Sequence, residues 1–253
     1  MARFWLIGMA VACVGALTGG CGCDGQCVPS ISDETSPVSE ADLPAAWTRG
    51  DLTSFRIIVT PGPYRVGEHA LEQLRSIIAD QAGLDVEVVE GEETGLSDSG
   101  VLDYNDVVAA VSPQIPSGND AVTVLVVVND TNAPDATYGF VRYKSRTRPT
   151  SVIVLHRGPM NATAFGPVTL DVIEATVTVH EVGHWLGVPA RDFHISALDR
   201  SHCSCARCVM HKGLKYNPVC VVAANLRTGV PVRFCPDCAE ELSELKRRRE
   251  ANR

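Results

Sequence analysis

The chain has 253 residues, 45% hydrophobic and 21% charged, with a formal net charge of -8 at pH 7. That length suits one sizeable domain with a buried core, or two small ones. The acidic balance excludes a general nucleic-acid binder, because phosphate contacts need a net basic face; the one basic run, Lys246-Arg247-Arg248-Arg249, reads as the end of a C-terminal helix, where cations complement the helix dipole.

Residues 1–20 read as an export signal outside the fold. Arg3 gives a minimal positive start, Phe4 to Leu17 is an almost unbroken apolar run, and small residues follow. Leu17-Thr18-Gly19-Gly20-Cys21 resembles a bacterial lipobox, in which the cysteine becomes the lipidated first residue. The expected location is therefore exported: a bacterial cell-envelope lipoprotein attached to the membrane through lipidated Cys21, or a secreted protein after plain cleavage. Cys23 and Cys27 keep the second reading open. An uncleaved anchor ranks last, since 14 apolar residues are short for a bilayer. Residues 21–50, rich in Pro, Ser and acidic side chains towards their end, read as a flexible tether, and the folded domain is expected over 51–253.

"FRIIVT" reads as a buried strand and "EHALEQLRSIIADQAG" as an amphipathic helix, with Leu71, Leu74, Ile77 and Ile78 on one face and Gly83 after its end. "DVEVVE" alternates like a strand, and "YNDVVAAV" fits a helix after a polar loop. "AVTVLVVVND" is too apolar and β-branched for a surface strand, so it should be central and covered on both faces; "SVIVLH" is a further strand. The order strand, helix, strand, helix, strand implies an α/β fold: a mixed, mostly buried sheet flanked by helices. "TLDVIEATVTVHEVGHWLG" is the clearest helix. Asp171 with Glu174 forms a capping signature, Leu170, Ile173, Val177, His180 and His184 lie close to one stripe, and Gly187 supplies the stop.

His180 and His184 are one helical turn apart, so both imidazoles can reach one tetrahedral zinc ion. Glu181 flanks that face, where its carboxylate can take a proton from a metal-bound water. The alternative is a pair of buried, hydrogen-bonded core histidines, but the charged glutamate beside them would then be an uncompensated cost. Of the ten cysteines, none lies between Cys27 and Cys203, so a local role suits the later cluster better than a framework of disulfides spread over the domain.

From His202 the sequence runs "HCSCARCVM", giving H-C-x4-C-x-M, and "CPDC" follows further on. With the H-E-x-x-H-x-x-G helix before it, this series resembles the archaemetzincins, a metzincin-like family of zinc peptidases. The resemblance implies a metzincin-like fold with an active-site helix and a C-terminal cysteine zinc subsite. It implies a catalytic zinc on His180, His184 and His202, with Glu181 as the base and Met210 as the Met-turn methionine. It also implies a second, structural zinc on Cys203, Cys208, Cys235 and Cys238, making two zinc ions per chain. "TVLVVVNDTNAPDATYGFVRYKSRTRPTSVIVL" resembles the central strand, loop and strand that precede the family's helix, and the likeness runs from about residue 51 to the C-terminus.

Two departures stand out. The family normally has two residues between the glycine and the third histidine, whereas 14 stand here, Val188 to Ser201, and the segment between Met210 and Cys235 is also longer. The simplest account is an insertion of about 12 residues that leaves His202 in place. Loop-closure entropy grows by only about 0.6 kcal/mol per doubling of length, so such an excursion need not abolish the site. His194, inside the insertion, is the competing third ligand, His211 a weaker one, and His156 and His69 read as core or surface residues. Disulfides among the four cysteines remain open as an alternative, as do the roles of Cys205 and Cys220.

The resulting expectation is an exported zinc-dependent peptidase (a metalloprotease) acting on peptide or protein substrates, with the strand Ser151 to His156 as a candidate edge for aligning an extended peptide. A catalytically inactive, zinc-stabilised surface binding protein is the alternative, if the insertion misplaces the third ligand. A redox protein using Cys235-Pro-Asp-Cys238 would leave the histidine helix unexplained. Oligomeric state and the choice between endopeptidase and aminopeptidase stay open.

Overall fold

The computed structural model describes residues 47–97, 100–117, 121–133, 138–145, 149–190, 195–196, 199–215, 218–226, 229–230 and 232–253. The export signal, Cys21 and most of the expected tether lie outside the described residues, as does His194.

Five strands form one sheet: β1 (Ser54–Val59), β2 (Asp85–Glu90), β3 (Ala121–Val128), β4 (Gly139–Ser145) and β5 (Thr150–His156), in the order β2-β1-β3-β5-β4. All neighbours are parallel except β4, which runs antiparallel to β5 at the sheet's edge. Every residue of β3 is buried, because its alternate side chains enter two separate cores. Leu125 and Val127 join one with Phe55, Ile57, Ile153 and Leu155; Val122, Val124, Val126 and Val128 join the other with Ile58, Val152 and Val154.

Helix α1 (Glu68–Ile77), extended by a π-turn over Ile78–Ala82, packs on the first face, and Gly83 ends it in the left-handed conformation at φ 61°. Helix α2 (Tyr104–Val111) covers the second face with Val107 and Val111, and Asp103 caps it by accepting from the N–H groups of Asn105 and Asp106. A short helix α3 (Arg157–Thr163) leads from β5 to the long α4 (Leu170–Leu186). Beyond α4 come a small hairpin of β6 (Ile195–Ser196) and β7 (Asp199–Cys203), then α5 (Pro218–Leu226) and the C-terminal α6 (Pro236–Ala251).

Several expectations are corrected. Ser151 to His156 is not an edge: β5 is bonded on both sides, and the edge on its side of the sheet is β4, within sequence read as loop. The α4 cap is Thr169, whose hydroxyl accepts from Val172 N–H at 3.4 Å, and not Asp171 with Glu174. Glu174 is instead buried and works between elements: it accepts the backbone N–H of Gly67 at the start of α1 and pairs with Arg157 at 3.0 Å. A carboxylate there also suits the positive end of the α1 dipole. Helix α4 has no single apolar stripe, since it is buried almost all round.

The tether also ends earlier than expected. Trp47 is 2% exposed, its ring meets Trp185 edge-on at 4.8 Å, and its indole N–H donates to the Trp185 carbonyl at 2.9 Å. That bond satisfies a carbonyl at the end of α4 that has no partner within the helix. Of the basic run, Arg247 and Arg248 pair with Glu240 and Glu244 on the surface, but Arg249 is buried. Its guanidinium donates to the carbonyls of Ala82, Gly83 and Trp47, closing the end of the α1 turn.

Replacing Arg249 by Leu leaves those carbonyls without donors while keeping an apolar stem in place. The expected loss is about 1–3 kcal/mol of unfolding free energy, read from the midpoint of urea denaturation.

Candidate functional site

The last turns of α4 carry His180, Glu181 and His184, and β7 brings His202 to them. His184 Nε2 lies 3.1 Å from His180 Nε2 and 3.3 Å from His202 Nε2. Nitrogens bound tetrahedrally to zinc at about 2.0–2.1 Å sit about 3.3–3.4 Å apart, so this spacing matches one shared cation. The tautomers agree. His180 Nδ1 lies 2.7 Å from the Val209 carbonyl, which can only accept, so the proton sits on Nδ1 and the Nε2 lone pair faces the cluster. His202 Nδ1 has the Ser201 hydroxyl at 3.1 Å. Nitrogen lone pairs gathered this closely fit a cation better than they fit one another.

The 14 residues between Gly187 and His202 thus leave His202 beside His184. The β6–β7 hairpin pairs Ile195 with Cys203 and Ser196 with Asp199 as it returns the chain to α4. Helix α4 stops at Gly187, which is left-handed at φ 84°, and the chain leaving it is held by Glu241 of α6, which accepts from Ala190 N–H at 2.9 Å.

Glu181 is 6% exposed beside the histidines, and desolvation raises its carboxyl to about 8. A dication at the imidazoles would draw that value down, since it favours the carboxylate. Gly139, the first residue of the edge strand, abuts it: a Cβ there would meet Glu181 Cγ and Oε1 at 3.2 Å. Helix and edge strand thus approach closely at this point because the strand offers no side chain. Met210 is fully buried against Gly183, the residue before His184, and a Cβ on Gly183 would overlap Met210 Sδ.

Cys203, Cys208, Cys235 and Cys238 converge on the far side of the same segment, all buried and none in a disulfide. Cys203 and Cys235 sulfurs are 3.6 Å apart, as are those of Cys208 and Cys238. A disulfide would need about 2.05 Å, whereas four sulfurs bound tetrahedrally at about 2.3 Å lie about 3.75 Å apart. The disulfide alternative for these four is thus overturned. Backbone N–H groups of Cys205, Met210 and Cys235 point at the sulfurs of Cys203 and Cys208, at 3.3–3.4 Å. Desolvation, then the neighbouring sulfurs, push the Cys208 thiol well above its ordinary value; Cys238 is pushed up first by its neighbours' sulfurs. Thiols so placed ionise together only around a cation, which fits a closed metal site.

Cys205 is disulfide-bonded, so it is neither free nor a substitute ligand. The Cys220 side chain lies outside the described residues. His211 accepts from Gly213 N–H through Nδ1 and stays outside the trio, as do the core residue His156 and the partly buried His69.

No protein-family model matches the chain, and no curated protein does. Among solved structures it is similar to the archaemetzincin of Methanopyrus kandleri, at TM-score 0.48 and 16% identity over 79% of this chain and 98% of that one. It is similar to the archaemetzincin of Archaeoglobus fulgidus at 0.41 and 19%, over 74% and 99% of the two chains. A zinc-dependent peptidase from Methanocorpusculum labreanum gives 0.43 and 16%, again over 74% and 99%.

Two outcomes follow from the geometry. Gly183→Ala would gain about 1 kcal/mol in an open helix, but against Met210 it should cost about 1–3 kcal/mol, with the sign read from thermal unfolding. In metal-free protein the raised Glu181 pKa means that the folded state holds its proton longer than the unfolded one, whose pKa stays near 4.5. The group's contribution is full below about 4.5 and is lost as pH rises through about 8. Stability of the metal-free chain should therefore fall across that window relative to Glu181→Gln, as measured by denaturant titration at stepped pH.

Proposed function

We propose that the chain is an exported zinc-dependent peptidase, with catalytic zinc on His180, His184 and His202, Glu181 as general base, and a structural zinc on Cys203, Cys208, Cys235 and Cys238. The observation that carries this reading is the convergence of three imidazole nitrogens beside a buried carboxylate at the end of a sheet edge. A zinc ion with three protein ligands keeps an open position, and supplies Lewis acidity towards water and a peptide carbonyl.

The chain's own residues supply the remaining requirements. Glu181, dry and next to the trio, accepts the proton of the attacking water and returns it to the leaving amine. Val209 holds His180 in one tautomer, and Met210 packs against Gly183, the residue before His184. The outer side of β4 has no strand partner among the described residues, so its backbone groups can pair an extended peptide. Gly139 leaves that approach clear beside Glu181. The inactive alternative needs a misplaced third ligand, and His202 is in ligand range. Export rests on the sequence of residues 1–20 and membrane attachment on Cys21.

In a peptide-cleavage assay, Glu181→Gln should keep two zinc ions by metal analysis and lose about 100-fold to 10,000-fold in turnover, since an amide cannot accept the proton. His202→Ala should lose the catalytic zinc alone, whereas His194→Ala should change neither metal content nor rate. Undiminished cleavage by Glu181→Gln would remove this residue from the mechanism. For the export reading, Cys21→Ser should move a membrane-associated form to the soluble exported fraction; intact residues 1–20 on a cytosolic protein would reject it.

A further inference from the structure

We infer that the cysteine quartet is the positioning element of the histidine trio, so that metal in one centre raises the affinity of the other. This rests on the zinc reading of both centres and not on peptidase activity.

Three connections run through residues 202–211. His202 and Cys203 are adjacent on β7, and neighbours on a strand project to opposite faces, so fixing Cys203 fixes the backbone that aims His202. The Val209 carbonyl, which sets the His180 tautomer from 2.7 Å, belongs to the residue after Cys208. Met210 donates its N–H to Cys208 Sγ at 3.4 Å, and its carbonyl accepts from Cys203 N–H at 2.8 Å. One histidine of the trio, the acceptor that orients a second, and the methionine packed against Gly183 beside the third therefore lie within two residues of Cys203 or Cys208. Those sulfurs reach Cys235 and Cys238 at the start of α6. A cation joining all four closes the segment at both ends. Without it, the segment is left to its backbone hydrogen bonds, and the trio must spend binding energy on ordering it.

The expected size follows from the effect of outer-shell partners on metal affinity, about 10-fold to 100-fold. Coupling between two binding equilibria is reciprocal, so each centre must act on the other by the same factor.

The test uses Cys238→Ser, which removes a sulfur on α6 without altering residues 202–211. Zinc affinity of the trio is measured by competition with a chelator, and the quartet is followed separately through the thiolate-to-metal absorption of added cobalt(II). Cys238→Ser should weaken zinc at the trio 10-fold to 100-fold, and Cys238→His, which returns a fourth ligand, should restore it. In the reverse arm, His184→Ala removes a trio ligand from α4, and the quartet's affinity should fall by the same factor. Unchanged affinity at the trio in folded Cys238→Ser, or at the quartet in His184→Ala, overturns the inference. If Cys238→Ser does not fold, the His184→Ala arm decides alone. A chain that shows the coupling yet cleaves no peptide keeps this inference and loses the peptidase reading.

Discussion

The alternation of side chains on one short strand is the constraint on which both side-chain clusters, the histidine trio and the cysteine quartet, depend. Residues His202 and Cys203 share a peptide bond, and only an extended backbone sends one towards α4 and the other towards α6. A helix at this position would rotate the two side chains by roughly 100° and could not serve both. The hairpin with β6 therefore does more than close an excursion. By pairing Ile195 with Cys203 it holds the strand extended at the point where the two centres meet.

Helix α4 answers a different demand. Its run Ala175-Thr176-Val177-Thr178-Val179 is poor in helix propensity, and the Thr176 and Thr178 hydroxyls turn back onto the carbonyls of Val172 and Glu174. Burial on nearly every side must hold the helix. That surrounding also makes Glu181 dry, and so the packing that compensates for weak propensity sets the chemistry of the carboxylate. The ties at its two ends are polar. Glu174 fastens the first half to α1 and Arg157, and Trp47 fastens the last turn from the other end of the chain.

What could be read from the sequence was what local periodicity encodes. β3 was legible because an unbroken β-branched run has no other home than a central strand, and His180, Glu181 and His184 because their spacing places them on one helical face. Strand β4 was missed although "GFVRYKS" alternates, since it follows a stretch of turn residues and lies at an edge, where half the strand stays polar. Trp47 was lost in a Pro- and Ser-rich background that outweighed a single aromatic. The cap was misplaced because Asp171 and Glu174 fit a local pattern while Glu174 was committed to a distant backbone N–H, which no local pattern records. The third histidine of the cluster stands 18 residues beyond His184 and follows no period at all; only its resemblance to a known series of motifs pointed to His202.

The insertion shows why such a site tolerates a change in chain length. A metal held by the trio would constrain the position of His202 and hardly constrain the path from Gly187. A longer path adds little closure entropy provided that its backbone groups are satisfied, and the hairpin with the Ala190 to Glu241 bond satisfies several of them. The cost that remains is imprecision, because a long connection transmits little orientation from α4 to the ligand. Orientation must then come from the other side of His202, where Cys203 and the backbone bond to Met210 stand one residue away. A long connection before His202 leaves the orientation of its ring to the residues that follow it, which is the physical basis of the coupling proposed between the two clusters.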